Sequence, residues 1–194
     1  TTARLMLGFL STRGISGTLY GDKSLSQRPM KRIIQPLREM NISINSHKQT
    51  LPIKFQASDI SSINHTLSVP SAQVKTSLIF AALSSTNKCL IKDPFKTRDH
   101  TERLIVFLGY KKNYYNKFNI KGFNYVVPGD ISSASYLVAA ALLIPNSNIT
   151  IQNVLFNKTR SGYINSLQKM GGRISIKNKT FRTQAFQEYH SYTW

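Results

Sequence analysis

Two stretches combine hydroxyl, amide and basic side chains directly before apolar helix patterns: GDKSLSQRPMKR at residues 21–32 and VPSAQVKTS at residues 69–77. The start of a helix carries backbone N–H groups without intrahelical partners and the positive end of the helix dipole. Hydrogen-bond donors placed at such a start favour a phosphate or carboxylate ligand. The two stretches therefore predict a binding site for a small anion.

Three side chains suit that chemistry. The Ser71 hydroxyl can donate to a phosphate, and the Gln73 amide can bond two ligands at once. The planar guanidinium of Arg28 suits bidentate carboxylate recognition better than a lysine would. Position alone leaves two alternatives open: Ser71 caps its helix, contributing about 1 kcal/mol, and Arg28 is an ordinary surface charge.

The chain is strongly basic, with 26 Lys and Arg against 8 Asp and Glu and a formal net charge of +18 in 194 residues. Three explanations fit such a charge: the protein binds nucleic acid, it binds a small anionic substrate, or its composition has drifted toward Lys, Asn and Ile without functional meaning. Residues 111–121 interleave lysines with aromatic residues, as single-strand binders do. Because they carry no defined RNA-binding signature, we expect a solvated loop there and no nucleic-acid partner.

Several classes of protein are not expected. No apolar run reaches the roughly 18–20 residues of a membrane span, and residues 136–145 are predicted to be a core helix. We find no signal-peptide pattern. The lone Cys89 excludes an intramolecular disulfide and favours a cytoplasmic location. The histidines lack metal-ligand spacing, so we expect no metal and treat each as structural: His47, His65, His100 and His190.

Apolar periodicity predicts six helices that must position these side chains. They cover residues 5–10, 30–37, 74–82, 104–108, 136–143 and 163–170. Pro29 is predicted in the first turn of the second helix. Short alternating segments predict strands at residues 17–20, 51–55, 89–91, 149–151 and 174–176.

An internal repeat organises these elements. Residues 71–110 run as a Ser-opened helix, a strand, the step Thr97-Arg98 and a helix ending in Leu-Gly; residues 132–171 repeat that plan with Thr159-Arg160. Residues 1–40 show it again, with a loop that ends in Arg28. The repeat predicts an α/β (α+β) fold of βαβαββ units. The first copy lacks a leading strand, so we expect a fragment, and after Lys177 we find no strand alternation or turn signals.

Six motifs occur in an order that resembles the middle of one enzyme family. They are TTARLMLG, GDKSLSQRPMKRIIQPLREM, SVPSAQVKTSLIFAAL, TRDHTERL, VPGDISSASYLVAAALL and NKTRSGYINSLQKMGG, and they span residues 1 to about 177. The resemblance is to the EPSP synthase (3-phosphoshikimate 1-carboxyvinyltransferase) family of enolpyruvyl transferases. It implies two domains of three βαβαββ units each, in an inside-out α/β barrel. We accordingly expect residues 1–128 to be most of the lower domain, without its N-terminal strand region, and residues 129–194 to be the crossover and a truncated part of the upper domain.

The resemblance also implies an activity and a set of ligand contacts. The family transfers the enolpyruvyl group of phosphoenolpyruvate to the 5-hydroxyl of shikimate 3-phosphate and releases phosphate, on the route to chorismate and aromatic amino acids. The resemblance implies that shikimate 3-phosphate is bound by Ser71, Ala72, Gln73 and Arg98. It implies that phosphoenolpyruvate is bound by Arg28, Gln73, Thr1 and Arg4. Ala72 stands where the family often has a second serine. Asp130 and Ser132 are expected to be hinge and cap residues.

The family's proton-transfer segments have no counterpart in this sequence, so we expect no catalytic residue here and negligible turnover by the chain alone. The resemblance implies no cofactor, no membrane partner and a monomeric full-length enzyme. Three alternatives stay open. One is a UDP-N-acetylglucosamine enolpyruvyl transferase of the same fold, against which the TRDHTER and SAQVK motifs argue. The others are a basic RNA-binding module of related fold and a non-functional gene remnant.

Overall fold

The apolar stripes of the sequence form helices in the computed structural model, which describes residues 1–180 and 189–193. All six predicted helices are confirmed. The helices are α1 (Thr2–Leu10), α2 (Lys23–Ser26), α3 (Lys31–Glu39), α4 (Ala72–Ala82), α5 (His100–Phe107), α6 (Ile131–Leu143) and α7 (Gly162–Lys169). The strands are β1 (Gly17–Leu19), β2 (Ile44–Ser46), β3 (Ile53–Phe55), β4 (Asn64–Thr66), β5 (Leu90–Lys92), β6 (Gly129–Asp130), β7 (Thr150–Leu155), β8 (Ser175–Thr180) and β9 (Tyr189–Thr193).

The chain divides into two compact units. The first unit contains residues 1–97 and 111–120, and the second contains residues 98–110 and 121–194. The first unit holds two open sheets, an antiparallel one in the order β1-β3-β2 and a parallel pair of β4 and β5. In the central strand β3, Ile53 and Phe55 are buried while Lys54 is exposed, as the two-residue period of a strand requires.

The second unit holds one open sheet in the order β6-β7-β9-β8, in which β6 and β7 are parallel and the other neighbours are antiparallel. Besides α5, the second unit reads β6-α6-β7-α7-β8-β9, a complete βαβαββ unit. The first unit repeats parts of this plan. The order β1-β3-β2 matches β7-β9-β8, and β4-α4-β5 matches β6-α6-β7. The predicted repeat is therefore confirmed by strand order and direction.

The start of α3 differs from the prediction. The helix begins at Lys31, with Met30 as its N-cap, so Pro29 precedes the helix and does not lie in its first turn. Met30 is buried, and its backbone N–H donates to the Gln49 carbonyl at 2.8 Å. This long-range hydrogen bond holds the backbone at Met30 as the N-cap, so the helix starts one residue later, at Lys31.

The prediction for the chain after Lys177 is also wrong where the structure describes it. Strand β8 continues to Thr180, and β9 pairs with both β7 and β8. Residues 181–188 and 194 lie outside the described residues. Both strands are rich in polar residues, so they show no alternation of apolar and polar side chains. Backbone pairing with other strands defines them, and such pairing cannot be seen in the local sequence.

Two further predictions concern exposure. Residues 111–121 form the expected loop, anchored by a pair of backbone hydrogen bonds between Cys89 and Tyr115 of 2.7 and 2.8 Å. Helix α6 is a core helix on one face only, because Val138 is fully buried while Leu143 is 82% exposed. Among the described residues no helix is long and apolar enough to cross a membrane.

Helices α1 and α4 approach each other unusually closely. A Cβ atom at Gly8 would lie 2.2 Å from the Ser77 carbonyl oxygen, so only glycine fits there. The contacts run in sequence order: the Ser77 hydroxyl donates to the Arg4 carbonyl at 2.8 Å, and the Thr12 hydroxyl bonds that of Ser84 at 3.2 Å. The two helices are therefore parallel, and their N-terminal ends lie side by side.

We expect Gly8→Ala to lower the free energy of unfolding by roughly 2 kcal/mol, because the added methyl group must push two helices apart. Urea denaturation followed by far-UV circular dichroism measures this. The matched control is Gly162→Ala at the start of α7, where a Cβ atom meets nothing within 4 Å. There alanine should be neutral or favourable by up to about 1 kcal/mol. Equal effects of the two substitutions would contradict the packing argument.

Candidate functional site

The guanidinium of Arg4 joins three helix starts within the first unit. Its Nη1 donates to Gln73 Oε1 at 3.0 Å, and its Nη2 donates to the Pro29 carbonyl at 3.0 Å. Arg4 lies in the first turn of α1, Gln73 in the first turn of α4, and Pro29 just before α3. The parallel packing of α1 and α4 makes this arrangement possible.

Ser71 is the N-cap of α4. Its backbone is extended, and its hydroxyl oxygen accepts from the Val74 N–H at 3.3 Å. Ser71 therefore caps its helix, which was one of the two alternatives left open by the sequence. Capping uses only a lone pair of the hydroxyl oxygen and leaves its proton available for donation. Among the described residues the Ser71 hydroxyl donates to no acceptor. Ala72 follows as the first helical residue and contributes a backbone N–H at the same helix start.

Thr1 and Arg28 complete the predicted set in this unit. Thr1 is the exposed N-cap of α1, and its side chain makes no capping hydrogen bond. Arg28 is exposed and follows α2, whose own cap is a 2.6 Å bond from the Leu25 N–H to Asp22. Within the described part of the chain the Arg28 guanidinium has no hydrogen bond or ion pair. The first unit therefore brings Arg4, Gln73 and the Arg28-Pro29 step together.

Arg98 belongs to the second unit, where it directly precedes α5. Its side chain is exposed, and no hydrogen bond or ion pair joins it to another described residue. The assignment of these residues to individual substrates stays a prediction.

Sequence reasoning missed a buried ion pair in the first unit. Lys75 Nζ lies 2.8 Å from Asp93 Oδ2, and the two side chains are only 4% and 10% exposed. The Thr97 N–H and hydroxyl donate to the same carboxylate oxygen at 2.9 and 2.5 Å, and Lys75 Nζ reaches the Thr97 carbonyl at 3.4 Å. One signal could have revealed Lys75: it interrupts the buried stripe of α4, and a buried lysine requires a partner.

These contacts set the charge of Asp93. Burial alone would raise the pKa of its carboxyl, but hydrogen bonds from Lys75 and Thr97 and the Lys75 charge outweigh burial and lower that pKa. Asp99 in the second unit behaves alike. Burial alone would raise the pKa of the Asp99 carboxyl. Hydrogen bonds from Asn157 at 2.8 Å and Arg103 at 2.9 Å outweigh that effect and lower the pKa.

The second unit contains a related polar cluster. Asn157 is buried, and its Oδ1 accepts from the Thr159 N–H at 2.9 Å and from the Thr159 hydroxyl at 2.8 Å. Arg160 then pairs with Asp130 at 2.8 Å. Asp130 also caps α6 through the Ser133 N–H at 3.1 Å, which confirms its predicted role as a cap. Ser132 makes no cap bond and lies inside the first turn of that helix.

Burial and the nearby Arg160, Arg98 and Arg103 lower the pKa of His100, against the opposing charge of Asp99. In the described part of the chain no group of three or more His, Cys, Asp or Glu side chains could hold a metal ion. The structural role expected of His100 stays a prediction.

Comparison with known proteins decides the family. The family model of EPSP synthase (3-phosphoshikimate 1-carboxyvinyltransferase) matches residues 1–191. The chain belongs to the EPSP synthase family. The 3-phosphoshikimate 1-carboxyvinyltransferase of Oceanobacillus iheyensis is 38% identical over 188 residues, which cover 92% of this chain and 44% of that enzyme. The enzyme of the same name from Staphylococcus carnosus is 42% identical over 190 residues, with 93% and 44% covered.

The fold agrees with this family. An EPSP synthase structure from Acinetobacter baumannii matches with a TM-score of 0.84 and 32% identity, covering 99% of this chain and 45% of that one. The chain thus spans less than half the length of the EPSP synthases it matches. The fold class expected from the sequence, repeated βαβαββ units of EPSP synthase type, is confirmed.

Acid should destabilise this member of the EPSP synthase family through Asp93 and Asp99. Their folded pKa values are lowered, so the unfolded chain takes up protons first and the free energy of unfolding falls as the pH drops below about 4. Above that pH both carboxylates are ionised in the folded chain, and their contribution to the free energy of unfolding is fully present. We expect Asp93→Asn to flatten the decline below about pH 4.

Urea denaturation at a series of pH values measures this slope. Asp59→Asn, at an exposed position of the same unit, is the control for the change of side chain. A decline in Asp93→Asn as steep as in the unchanged chain would contradict the assignment to Asp93.

Proposed function

We propose that this chain supplies part of the substrate site of an enzyme that transfers the enolpyruvyl group of phosphoenolpyruvate to the 5-hydroxyl of shikimate 3-phosphate. The observation that carries the proposal is the meeting of three helix starts at Arg4 within the first unit. Helix starts that lie together concentrate unpaired N–H donors and positive dipole ends, and both substrates are anions. Membership of the EPSP synthase family supplies the substrate class.

Each residue has a defined part in the proposal. The Ser71 hydroxyl and the free N–H groups of Ala72 and Gln73 hold the phosphate of shikimate 3-phosphate. Arg98, which the domain division places in the second unit, is proposed as a contact of the same substrate on the resemblance of its sequence motif alone. The exposed guanidinium of Arg28 holds the carboxylate of phosphoenolpyruvate as a bidentate partner. These contacts orient the two substrates and bring their reacting atoms together.

Arg4 and Thr1 complete the phosphoenolpyruvate side. Two donors of Arg4 are committed to Gln73 and Pro29, so Arg4 fixes the shape of the site while its positive charge attracts the anion. The Thr1 hydroxyl, which makes no cap bond, is a further donor.

The reaction joins the 5-oxygen of shikimate 3-phosphate to C2 of phosphoenolpyruvate and then expels phosphate from a tetrahedral intermediate. General acid and base groups are required for both steps, and we place none of them among these residues. We further propose the domain division near residue 128, a cytoplasmic location and a monomeric full-length enzyme.

A charge reversal at the helix cap tests the anion site. We expect the chain to bind shikimate 3-phosphate in isothermal titration calorimetry and Ser71→Asp to weaken that binding at least about tenfold, because aspartate repels the phosphate. Aspartate is as good an N-cap as serine, so stability should be kept.

Two further titrations sharpen this test. Ser71→Thr retains the hydroxyl and should bind nearly as the unchanged chain does. UDP-N-acetylglucosamine should give no heat, and tighter binding of that sugar nucleotide than of shikimate 3-phosphate would contradict the proposed substrate.

Turnover is a separate expectation. The 194-residue chain should release no measurable phosphate from phosphoenolpyruvate and shikimate 3-phosphate, because the proton-transfer groups of the family have no counterpart in its sequence. A steady-state phosphate-release assay measures this, with the Staphylococcus carnosus enzyme as the positive control. A rate comparable to that of the control would show that the chain carries catalytic groups of its own.

A further inference from the structure

The segment that leads into α5 is fixed by one largely shielded carboxylate, that of Asp93. Asp93 accepts three bonds from within its own loop: the Phe95 N–H at 3.1 Å and the two Thr97 donors. Lys75 adds a fourth from α4. Because Lys75 follows Gln73 by two residues, this contact ties the loop to the first turn of the helix that Ser71 caps.

The second unit contains a version of the same device. There Asn157 replaces the aspartate and accepts from the N–H and the hydroxyl of Thr159, and an arginine follows as Arg98 follows Thr97. The two copies differ in the state of that arginine. Arg160 closes an ion pair with Asp130 at 2.8 Å, whereas Arg98 has no such partner among the described residues.

We propose that Lys75 and Asp93 are positioning residues, which fix the backbone of Thr97 and thereby the point from which Arg98 reaches the phosphate of its ligand. The inference rests on the proposed function, which makes Arg98 a ligand residue. Both side chains are largely shielded from solvent, and Asp93 accepts from Lys75, from Thr97 and from the Phe95 N–H, so the pair is proposed to act through the loop and not by contact with the ligand.

The physical reason is conformational entropy. An exposed arginine on a mobile loop must order both its side chain and its backbone when it binds an anion. A backbone held by a buried carboxylate is ordered beforehand, so less of the binding free energy is lost. The pair also anchors this backbone to α4, the helix that carries Gln73.

The test is a double-mutant cycle on the 194-residue chain, with shikimate 3-phosphate as the probe in calorimetry. Lys75→Met and Asp93→Asn are each made in the unchanged chain and in Arg98→Ala. We expect each to weaken binding about fivefold to tenfold in the unchanged chain and to have no effect when Arg98 is already alanine. A role in stability alone would not show this dependence on Arg98.

Controls keep the cycle decisive. Lys111→Met removes a positive charge at an exposed position of the same unit and should leave the Arg98-dependent part of binding unchanged. If Lys75→Met does not fold by circular dichroism, the Asp93→Asn arm decides, because asparagine keeps an acceptor for Thr97 and removes only the charge.

The outcomes separate the two proposals. Losses that persist in full in the Arg98→Ala chain, or no loss in either single variant, overturn the positioning role while the proposed function stands. No binding by the unchanged chain, or unweakened binding by Arg98→Ala, overturns the proposed role of Arg98 and the positioning role with it.

Discussion

The close approach of α1 and α4 is the constraint on which the candidate site depends. Gly8 allows the backbones to touch at Ser77, and the Ser77 hydroxyl fixes the register of the two helices through the Arg4 carbonyl. Parallel helices place like dipole ends together, which is electrostatically unfavourable in the absence of an anion. The fold thus creates a positive local potential, and the guanidinium of Arg4 adds to it while holding Gln73 and Pro29.

Much of the fold could be predicted because its helices obey a local rule. Apolar residues at helical spacing marked six of the seven described helices, the exception being the four-residue α2. Gly109 and Gly171 at two helix ends adopt positive φ angles that favour glycine. The strands were harder. Strand β4 contains Asn, His and Thr and no apolar residue, so its pairing with β5 has no signature in composition. Strand β9 is likewise defined by its partners, which precede it by 9 residues or more.

The candidate site was predictable where one residue acts alone and hidden where two must meet. Capping by Ser71 could be foreseen as one alternative because serine is a preferred residue directly before a helix. The bond from Arg4 to Gln73 spans 69 residues, and the ion pair of Lys75 and Asp93 spans 18. No spacing rule connects such residues. The repeat did predict the Thr-Arg steps, but not that an Asx side chain would hold each of them.

The two Asx-held steps have an evolutionary consequence. Residues 93–97 close on the Asp93 carboxylate and residues 157–159 close on the Asn157 amide, so neither segment depends on the arginine side chain that follows it for its hydrogen bonds. The arginine that follows has a different environment in each copy, because Arg160 pairs with Asp130 while Arg98 is exposed. Duplication of such a segment supplies a preformed backbone for an arginine, and a substitution at one residue beside that arginine can then change what the arginine binds.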